Sequence, residues 1–270
     1  MSYIDEVMKE DVPVITYDKL TETGMVEHGF STRKGGVSEG EFSTMNLSLT
    51  RGDNRDKVLR NFKIMADRLN MPYENMVLSS QTHTTNIRVV TKTDKGKGLV
   101  VPKDYDDIDG LMTDEKGIPL VTFYADCVPL FFLDKEKGVI ALSHSGWRGT
   151  VQKMGLVTVR KMMETYGCRP ENIIACIGPS ICMDCYEVSE DVIIEFEKSF
   201  GSDEMFYRKE NGKYQLDLWK ANEMVLSEAG ILKENIENRR ICTCCNSDYL
   251  FSHRKTNGRR GNLAAFMMLK

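Results

Sequence analysis

The spacing of apolar residues predicts both amphipathic helices and buried strands along the chain. From residue 54 to residue 69 the apolar positions recur at helical spacing, and Asp53 or Asn54 is placed to cap the helix. Residues 118–133 are too apolar for a surface element, and Pro129 interrupts them. This stretch therefore predicts two short buried strands that meet at its ADC tripeptide.

The rest of the pattern predicts a mixture of strands and helices without the strict alternation of a doubly wound fold. We expect further strands at residues 25–32, 139–146, 173–178, 213–218, 241–244 and 263–269. Further helices are expected at residues 151–166, 188–200 and 217–230. No linker or repeat divides the chain, so residues 1–270 are predicted to form a single α+β (mixed α/β) domain, with a buried mixed β-sheet flanked by helices.

Composition and charge narrow the classes of function. Hydrophobic residues make up 41% and charged residues 28%, which is typical of a soluble globular protein. The formal net charge of −4 lacks the basic surplus of a nucleic-acid binder. No apolar run reaches membrane-spanning length, and the acidic start lacks the features of a signal peptide. We therefore expect a cytoplasmic protein that acts on neither nucleic acid nor membranes, although local cations still permit a small anionic substrate.

Two histidines and one cysteine form the first candidate site. The chain has only four histidines, and two of them, His83 in QTHTTN and His144 in LSHSGWRG, lie among small residues where strands give way to loops. Cys127 lies at the predicted strand break. Two imidazoles and one thiolate match the ligands of a catalytic zinc site, in which the fourth position is open to water or substrate. From residue types alone, satisfied core histidines and a buried free thiol remain the alternative.

The other cysteines form a second, weaker pattern. Eight cysteines without a secretion signal argue against a disulfide framework. Cys182 and Cys185 form a CxxC pair, and Cys242, Cys244 and Cys245 lie together. In number they resemble a four-thiolate structural zinc site. The alternative is that they are small buried hydrophobic residues.

Seven motifs are similar to those of one known family and occur in the same order. They are HGFSTRKGGVSEG, QTHTTNI, DIDGLMTD, ADCVPLFF, ALSHSGWRGT, IGPSICMDCYEV and FSHRKTNGRRGNLAAF. The chain thereby resembles the YfiH/YlmD family, whose members have been called multicopper polyphenol oxidases, laccase-domain proteins and purine nucleoside phosphorylases. The resemblance implies zinc at His83, Cys127 and His144, and a fold like the catalytic domain of cytotoxic necrotizing factor. It assigns no metal to the cysteine pairs.

The number of histidines bears on which of these family names fits. A blue-copper centre alone uses two histidines and a cysteine, and a laccase needs several more imidazoles for its oxygen-reducing cluster. Four histidines with no HxH pair cannot supply both sites. Multicopper oxidation is therefore not expected, although Cu²⁺ could occupy the same three-ligand site.

The resemblance implies chemistry on purine nucleosides. The implied reactions are phosphorolysis of inosine, guanosine, adenosine and methylthioadenosine to free base and ribose 1-phosphate, and deamination of adenosine. Zinc lowers the pKa of bound water to about 7, which would supply the hydroxide for deamination. Asp126 is the first candidate for moving the proton and Asp109 the second. Asp126 could equally orient a metal ligand.

Phosphorolysis also needs groups that bind phosphate and the nucleoside. Arg33 lies in STRKGG and Arg148 in GWRG, where neighbouring glycines let an anion approach, so both are predicted to bind phosphate and to act in catalysis. For each, a surface salt bridge is the alternative. Gln81 and Trp147 are predicted to contact the substrate, although Trp147 could simply pack. The basic run His253-Arg254-Lys255 with Arg259-Arg260 could hold phosphate, but such runs are commonly solvated turns.

Two other functions stay open from the sequence. One is a hydrolase that edits a peptidoglycan precursor, since some members of the family are described in that way. The other is a zinc-binding protein without turnover. A closed site of four ligands would favour the latter, whereas the three predicted ligands leave one position free. The preferred purine and the oligomeric state do not follow from the sequence.

Overall fold

The computed structural model describes residues 3–270. Within that range the chain forms eight α-helices: α1 (Tyr3–Val7), α2 (Asp18–Thr21), α3 (Arg55–Arg68), α4 (Trp147–Val151), α5 (Met154–Tyr166), α6 (Glu190–Phe200), α7 (Leu218–Glu228) and α8 (His253–Thr256). Strands of the first half are β1 (Val14–Ile15), β2 (Val26–Ser31), β3 (Val77–Leu78), β4 (Ile87–Val89), β5 (Gly110–Thr113), β6 (Leu120–Tyr124) and β7 (Val128–Asp134). Those of the second half are β8 (Val139–Ser145), β9 (Ile173–Ile177), β10 (Glu187–Val188), β11 (Phe206–Arg208), β12 (Tyr214–Leu216), β13 (Ile236–Asn238) and β14 (Leu263–Leu269).

Two large mixed sheets organise these strands. The five-stranded sheet has the order β1-β2-β14-β6-β3, and the six-stranded sheet has the order β13-β9-β7-β8-β5-β4. Strand β3 pairs with β6 in parallel, as β4 does with β5 and β13 with β9, whereas the other pairs in these sheets are antiparallel. A small antiparallel sheet, β10-β12-β11, lies outside them.

The sheets pack face to face, and helices cover their outer faces. Strand β7 shows the arrangement, because Phe131 and Leu133 point into the core between the sheets while Leu130 and Phe132 point toward α5, α6 and α7. On the other side, Phe266 of β14 packs edge-on against Phe62 of α3. Because both faces of these central strands are buried, the strands are continuously apolar rather than alternating.

The structure confirms the predicted mixed α/β fold and the elements with the clearest pattern. Helix α3 begins where predicted, and the Asn54 side chain caps it by accepting hydrogen bonds from the backbone N–H groups of Asp56 (2.9 Å) and Lys57 (3.2 Å). The predicted break at the ADC tripeptide is the connection between β6 and β7. Two packed sheets replace the one sheet expected, because sequence periodicity does not report how many layers share a core.

Two local predictions were wrong. The predicted helix over residues 151–166 is divided into α4 and α5 by Lys153, which has a left-handed φ of 57°. Residues 241–244 form a turn with a single bridge from Ser180 to Cys242 rather than a strand. Within residues 3–270, no helix is long and apolar enough to span a membrane.

Candidate functional site

His83, Cys127 and His144 come together from two loops and the end of one strand. His83 lies in the loop after β3 with a left-handed φ of 71°, Cys127 lies between β6 and β7, and His144 lies near the end of β8. Each offers one ligand atom, and these atoms all lie within 4.8 Å of one another. Cys127 Sγ is 4.0 Å from His83 Nε2, and the two imidazole rings meet edge to face. We call these three residues the metal triad.

The carboxylate of Asp109 organises the triad from behind. Its oxygens accept hydrogen bonds from the backbone N–H groups of Thr82 (2.9 Å), His83 (3.1 Å) and Thr84 (3.0 Å), and from Nδ1 of His144 (2.7 Å). The side chain of Asp109 is fully buried. The Asp109 carboxylate therefore fixes the conformation of the loop that carries His83. It also binds Nδ1 of His144, which leaves Nε2 of His144 free to bind a metal, as is usual for metal-bound imidazoles.

Gly146 allows the triad to close. A Cβ atom at this position would lie 3.0 Å from Cδ2 of His83 and 3.1 Å from Sγ of Cys127. These contacts are tighter than ordinary packing, so a side chain here would push both ligands out of their present positions. The converging donors, the free imidazole nitrogen and the missing side chain all fit a small bound cation.

Charge coupling between Cys127 and His144 is strong. Burial alone raises the pKa of the Cys127 thiol, but His144 and His83 together outweigh it and lower the pKa to about 6. Burial alone lowers the pKa of His144, but Cys127 and Asp109 raise it to about 9. Asp109 is also buried, yet its hydrogen bonds to His144 and to backbone N–H groups lower the pKa of its carboxyl. The site thus favours a thiolate, the form of cysteine that binds metals.

The triad lies at the wall of a cavity of about 530 Å³, a volume in the range of small-molecule sites. Apolar side chains form part of its wall: Leu47, Leu49, Leu78, Phe123 and Tyr124. Four cationic side chains also line it: Arg51, Arg55, Lys103 and Arg260. Among residues 3–270, no aspartate or glutamate belongs to its lining.

Arg260 is the most unusual of these cations because only 8% of it is exposed. Its Nη1 donates to the carbonyl oxygen of Gly261 (3.1 Å) and to the side chain of Asn262. Its Nε is buried and has no hydrogen-bond partner within the described chain. Burial, and then the nearby Arg51, lower the pKa of Arg260 to about 10. A largely buried cation that lines the cavity beside a second cation favours an anion there.

Of the predicted substrate and phosphate contacts, Gln81 lines the cavity. Its side chain is fixed by a pair of hydrogen bonds to the backbone of Phe123, at 2.8 Å from Nε2 and 2.7 Å to Oε1. Arg33 and Arg148 are absent from the lining, which is drawn wholly from residues 3–270. The Arg33 guanidinium donates to the carbonyl oxygens of Ser43 (2.9 Å) and Ser247 (3.0 Å).

Trp147 and Arg148 lie together outside this cavity. The exposed Arg148 guanidinium stacks over the Trp147 ring at 4.4 Å. Trp147 lines a separate, shallow cavity with Tyr186 and Arg254. The structure therefore separates these two residues from the cations that share a cavity with the metal triad.

The Asp126 carboxylate is held by hydrogen bonds from two other segments of the chain. Its Oδ1 accepts from Thr243 Oγ1 (2.6 Å), its Oδ2 accepts from the backbone N–H of Arg254 (2.7 Å), and its φ is 85°. Asp126 is buried and, among residues 3–270, is not one of those that line the cavity. Its hydrogen bonds hold the backbone immediately before Cys127, as the orienting alternative requires.

Sequence reasoning missed most of the cationic lining. Arg260 lies in the basic run for which phosphate binding was only one alternative, whereas Arg51, Arg55 and Lys103 had no local signal. Arg51 and Arg55 lie just before and at the start of α3, and Lys103 lies in the loop between β4 and β5, so only the tertiary fold brings these three and Arg260 to one cavity.

Comparison with known proteins places the chain in a family. The family model described as "Multi-copper polyphenol oxidoreductase laccase" matches residues 27–270. The purine nucleoside phosphorylase YlmD of Bacillus subtilis (strain 168) is 34% identical over 248 residues, which is 90% of this chain and 88% of that protein. Adenosine deaminase RL5, from an unknown prokaryotic organism, is 33% identical over 250 residues, which is 90% of this chain and 94% of that protein.

Solved structures agree with these matches. The crystal structure of hypothetical protein YfiH from Bacillus licheniformis has a TM-score of 0.91 at 31% identity and covers 97% of this chain and 98% of its own. That of YlmD from Geobacillus stearothermophilus has a TM-score of 0.86 at 33% identity, with coverage of 92% and 93%. The family resemblance of the motifs is thereby confirmed, and the chain belongs to the multi-copper polyphenol oxidoreductase laccase family, which includes the YfiH and YlmD proteins.

Proposed function

We propose that the protein cleaves purine nucleosides with phosphate, releasing the free base and ribose 1-phosphate. The substrates are inosine, guanosine, adenosine and methylthioadenosine. Two kinds of support combine here. Relatives that match most of the chain carry the name purine nucleoside phosphorylase, and the cavity beside the metal triad has a composition suited to that reaction.

The observation that carries the proposal is the charge of the cavity. Four cationic side chains line it, and no carboxylate from the described residues does. An anionic co-substrate is favoured by such a lining because the cations attract it and because no acid repels it. Arg260 contributes a planar guanidinium to the lining of the cavity, a group that is suited to hydrogen-bonding phosphate oxygens.

The remaining wall suits a nucleoside. Leu47, Leu78 and Phe123 supply an apolar surface for a purine, and polar groups from Ser48, Thr50, Asn262 and Gln81 surround it. In the proposed reaction a phosphate oxygen bonds to C1′ of the ribose while the bond from C1′ to the purine nitrogen breaks. Arg260 and Arg51 hold the phosphate in place, so the two reactants meet within one cavity rather than by diffusion.

His83, Cys127 and His144 would hold the metal, and we propose zinc because two imidazoles and a thiolate are a ligand set of catalytic zinc sites. When bound, zinc supplies Lewis acidity and water of lowered pKa at its free position. Cu²⁺ can compete for the same donors. The triad residues and Asp109 are therefore proposed to fix the metal, while the cations fix the phosphate.

Adenosine deamination is a second activity of the same cavity in this proposal. It is supported by the relative named adenosine deaminase and by the free position of a three-ligand site. Asp126 and Asp109 stay the predicted groups for moving the proton. Both carboxylates already accept hydrogen bonds from the protein, at Thr243 and at His144 respectively, so we expect deamination to be slower than phosphorolysis.

The test measures base and ribose 1-phosphate released from inosine at several phosphate concentrations. Losing one charge-assisted hydrogen bond costs about 1.5–3 kcal/mol, so Arg260→Met should raise the KM for phosphate by about tenfold to about 150-fold. The variant Arg260→Lys, which keeps the charge, should lie between it and the parent.

Arg33→Met and Arg148→Met compare the two earlier candidates with Arg260. An increase in the phosphate KM for either of them, but not for Arg260→Met, would restore the prediction made from the sequence motifs. The control for turnover is Cys127→Ala. If the parent protein releases no more ribose 1-phosphate than this variant, the proposed phosphorolysis is rejected.

A further inference from the structure

Four cysteines outside the metal triad converge on one point. Cys182 and Cys185 lie at a 3₁₀ turn after β9, and Cys242 and Cys245 lie in the turn after β13. All four Sγ atoms lie within 4.8 Å of one another. We call these four residues the thiol cluster.

The backbone brings the two cysteine pairs together independently of the thiols. A parallel bridge joins Ser180 to Cys242, with hydrogen bonds from the Ser180 N–H to Ile241 O (3.2 Å) and from the Thr243 N–H to Ser180 O (3.1 Å). The indole of Trp219 also donates to the Ser180 hydroxyl at 2.6 Å. The cluster is therefore built on an ordered scaffold rather than on a chance approach of two loops.

The spacing of the sulfur atoms matches four-coordinate zinc. With a Zn–S bond of about 2.3 Å, a tetrahedral site requires sulfur atoms about 3.8 Å apart. The Sγ of Cys245 is 3.9 Å from that of Cys182 and 3.5 Å from that of Cys185. These two distances lie on either side of the required value of about 3.8 Å, so small side-chain shifts would be enough for the sulfur atoms to enclose the ion.

Backbone donors point at the most buried sulfur. The Sγ of Cys242 accepts hydrogen bonds from the N–H groups of Cys182 (3.3 Å) and Cys245 (3.4 Å). Such donors stabilise the negative charge of a thiolate that is bound to a metal. The first donor comes from the opposite pair and the second from the same pair, so both pairs contribute a donor to this sulfur.

A disulfide bond would explain the convergence of the four cysteines less well than a zinc ion does. It needs only two sulfur atoms, about 2.05 Å apart, and would leave the other two cysteines of the cluster without a role. Cys244 lies between Cys242 and Cys245 in sequence yet is not a member of the cluster. The turn thus selects Cys242 and Cys245, the first and fourth residues of the segment, which is the spacing of a zinc-binding CxxC motif.

From these observations we infer that the thiol cluster binds a second zinc ion, in a closed structural site separate from the metal triad. Four thiolates fill the coordination shell, so no position is left for substrate. The site has a positioning role. The N–H of Ile181 donates to the backbone carbonyl of Asp126 (3.0 Å) and Thr243 donates to its carboxylate, so both turns of the cluster hold the residue that precedes Cys127.

The first test is zinc content, measured by mass spectrometry on purified protein. Cys185→Ser should contain one zinc ion fewer per chain than the parent, and Cys245→Ser should show the same loss. Cys244→Ser is the matched control, since it removes a neighbouring thiol outside the cluster, and it should keep the parent content. Unchanged zinc content in both cluster variants, or an equal loss in Cys244→Ser, would overturn the inference.

The second test does not depend on a variant that folds. A crystal of the unmodified protein, measured at the zinc absorption edge, should show an anomalous peak between the four sulfur atoms. Absence of that peak, an iron signal in its place, or fewer than eight free thiols after denaturation with a chelator would each overturn it. Because the peak is read at the thiol cluster alone, the result is independent of whether the metal triad supports phosphorolysis.

Discussion

The substitution Gly146→Ala tests directly whether the metal triad closes around an ion. Gly146 has an ordinary φ of −68°, so alanine can adopt this backbone conformation and the effect of the change is steric. The added Cβ would lie 3.0 Å from the His83 ring and 3.1 Å from Cys127 Sγ. Without metal, the two side chains can move apart to relieve these contacts.

Metal binding removes that freedom. Zinc with Zn–S of about 2.3 Å and Zn–N of about 2.0 Å in tetrahedral geometry requires the sulfur and nitrogen to be about 3.5 Å apart. Cys127 Sγ and His83 Nε2 are now 4.0 Å apart, so they must approach each other over Gly146. Overpacking of this kind costs about 1–3 kcal/mol, which corresponds to zinc affinity lowered by about fivefold to about 150-fold.

The assay is competition for zinc with a chromophoric chelator, together with a thermal melt of each metal-free variant. Gly149→Ala is the matched control, because its Cβ would meet the His144 carbonyl oxygen at 3.4 Å and other atoms only beyond 3.6 Å. We expect Gly149→Ala to keep the affinity of the parent. Equal affinities for the two alanine variants would refute the proposed closure of the triad at this point.

Two further predictions concern buried polar groups. Asp109→Asn should weaken zinc binding by about tenfold to about 100-fold, because an amide cannot accept all the hydrogen bonds that orient the two histidines. The control is Asp107→Asn, which alters a neighbouring carboxylate that accepts hydrogen bonds from Thr84 and Asn86 and should leave zinc binding unchanged. Equal losses of affinity in the two variants would count against the role of Asp109. His28 is buried and accepts a hydrogen bond from the Tyr17 N–H, and burial lowers its pKa from 6.5 to about 4. Because the unfolded chain then binds the proton more readily, this group should cost up to about 3 kcal/mol of unfolding free energy as the pH falls from 6.5 to 4, and none above 6.5. Urea unfolding of His28→Gln should show a flatter decline over that interval, and a decline as steep as that of the parent would exclude His28 as its source.

Local pattern was sufficient for the elements whose formation depends on neighbours in sequence. The helical spacing and the capping residue Asn54 predicted α3, because a side chain next to the first turn satisfies its free N–H groups. The apolar stretch interrupted at the ADC tripeptide predicted β6 and β7, although the face that each strand presents to each sheet could not be known.

The grouping of His83, Cys127 and His144 was also predicted from the sequence, since rare residue types in long motifs carry their own identity, and the structure brings their ligand atoms together. The sequence did not predict which cationic side chains lie at the cavity. Arg33 lies just before a glycine pair that suggests an anion site, yet its guanidinium donates to the carbonyl oxygens of Ser43 and Ser247. The burial of Arg260 beside Arg51 depends on how distant loops pack, and no spacing along the chain encodes it.

The sequence by itself therefore determined the family motifs, the ligand types and the stronger secondary-structure elements. Only the tertiary structure decided which cations share a cavity with the metal triad. It also decided that Asp109, rather than a residue nearer to the histidines in the sequence, orients them, and that Cys244 lies outside the thiol cluster. The physical reason is range. Helix caps and apolar periodicity act over a few residues, whereas desolvation and converging ligands arise only between segments that folding brings together.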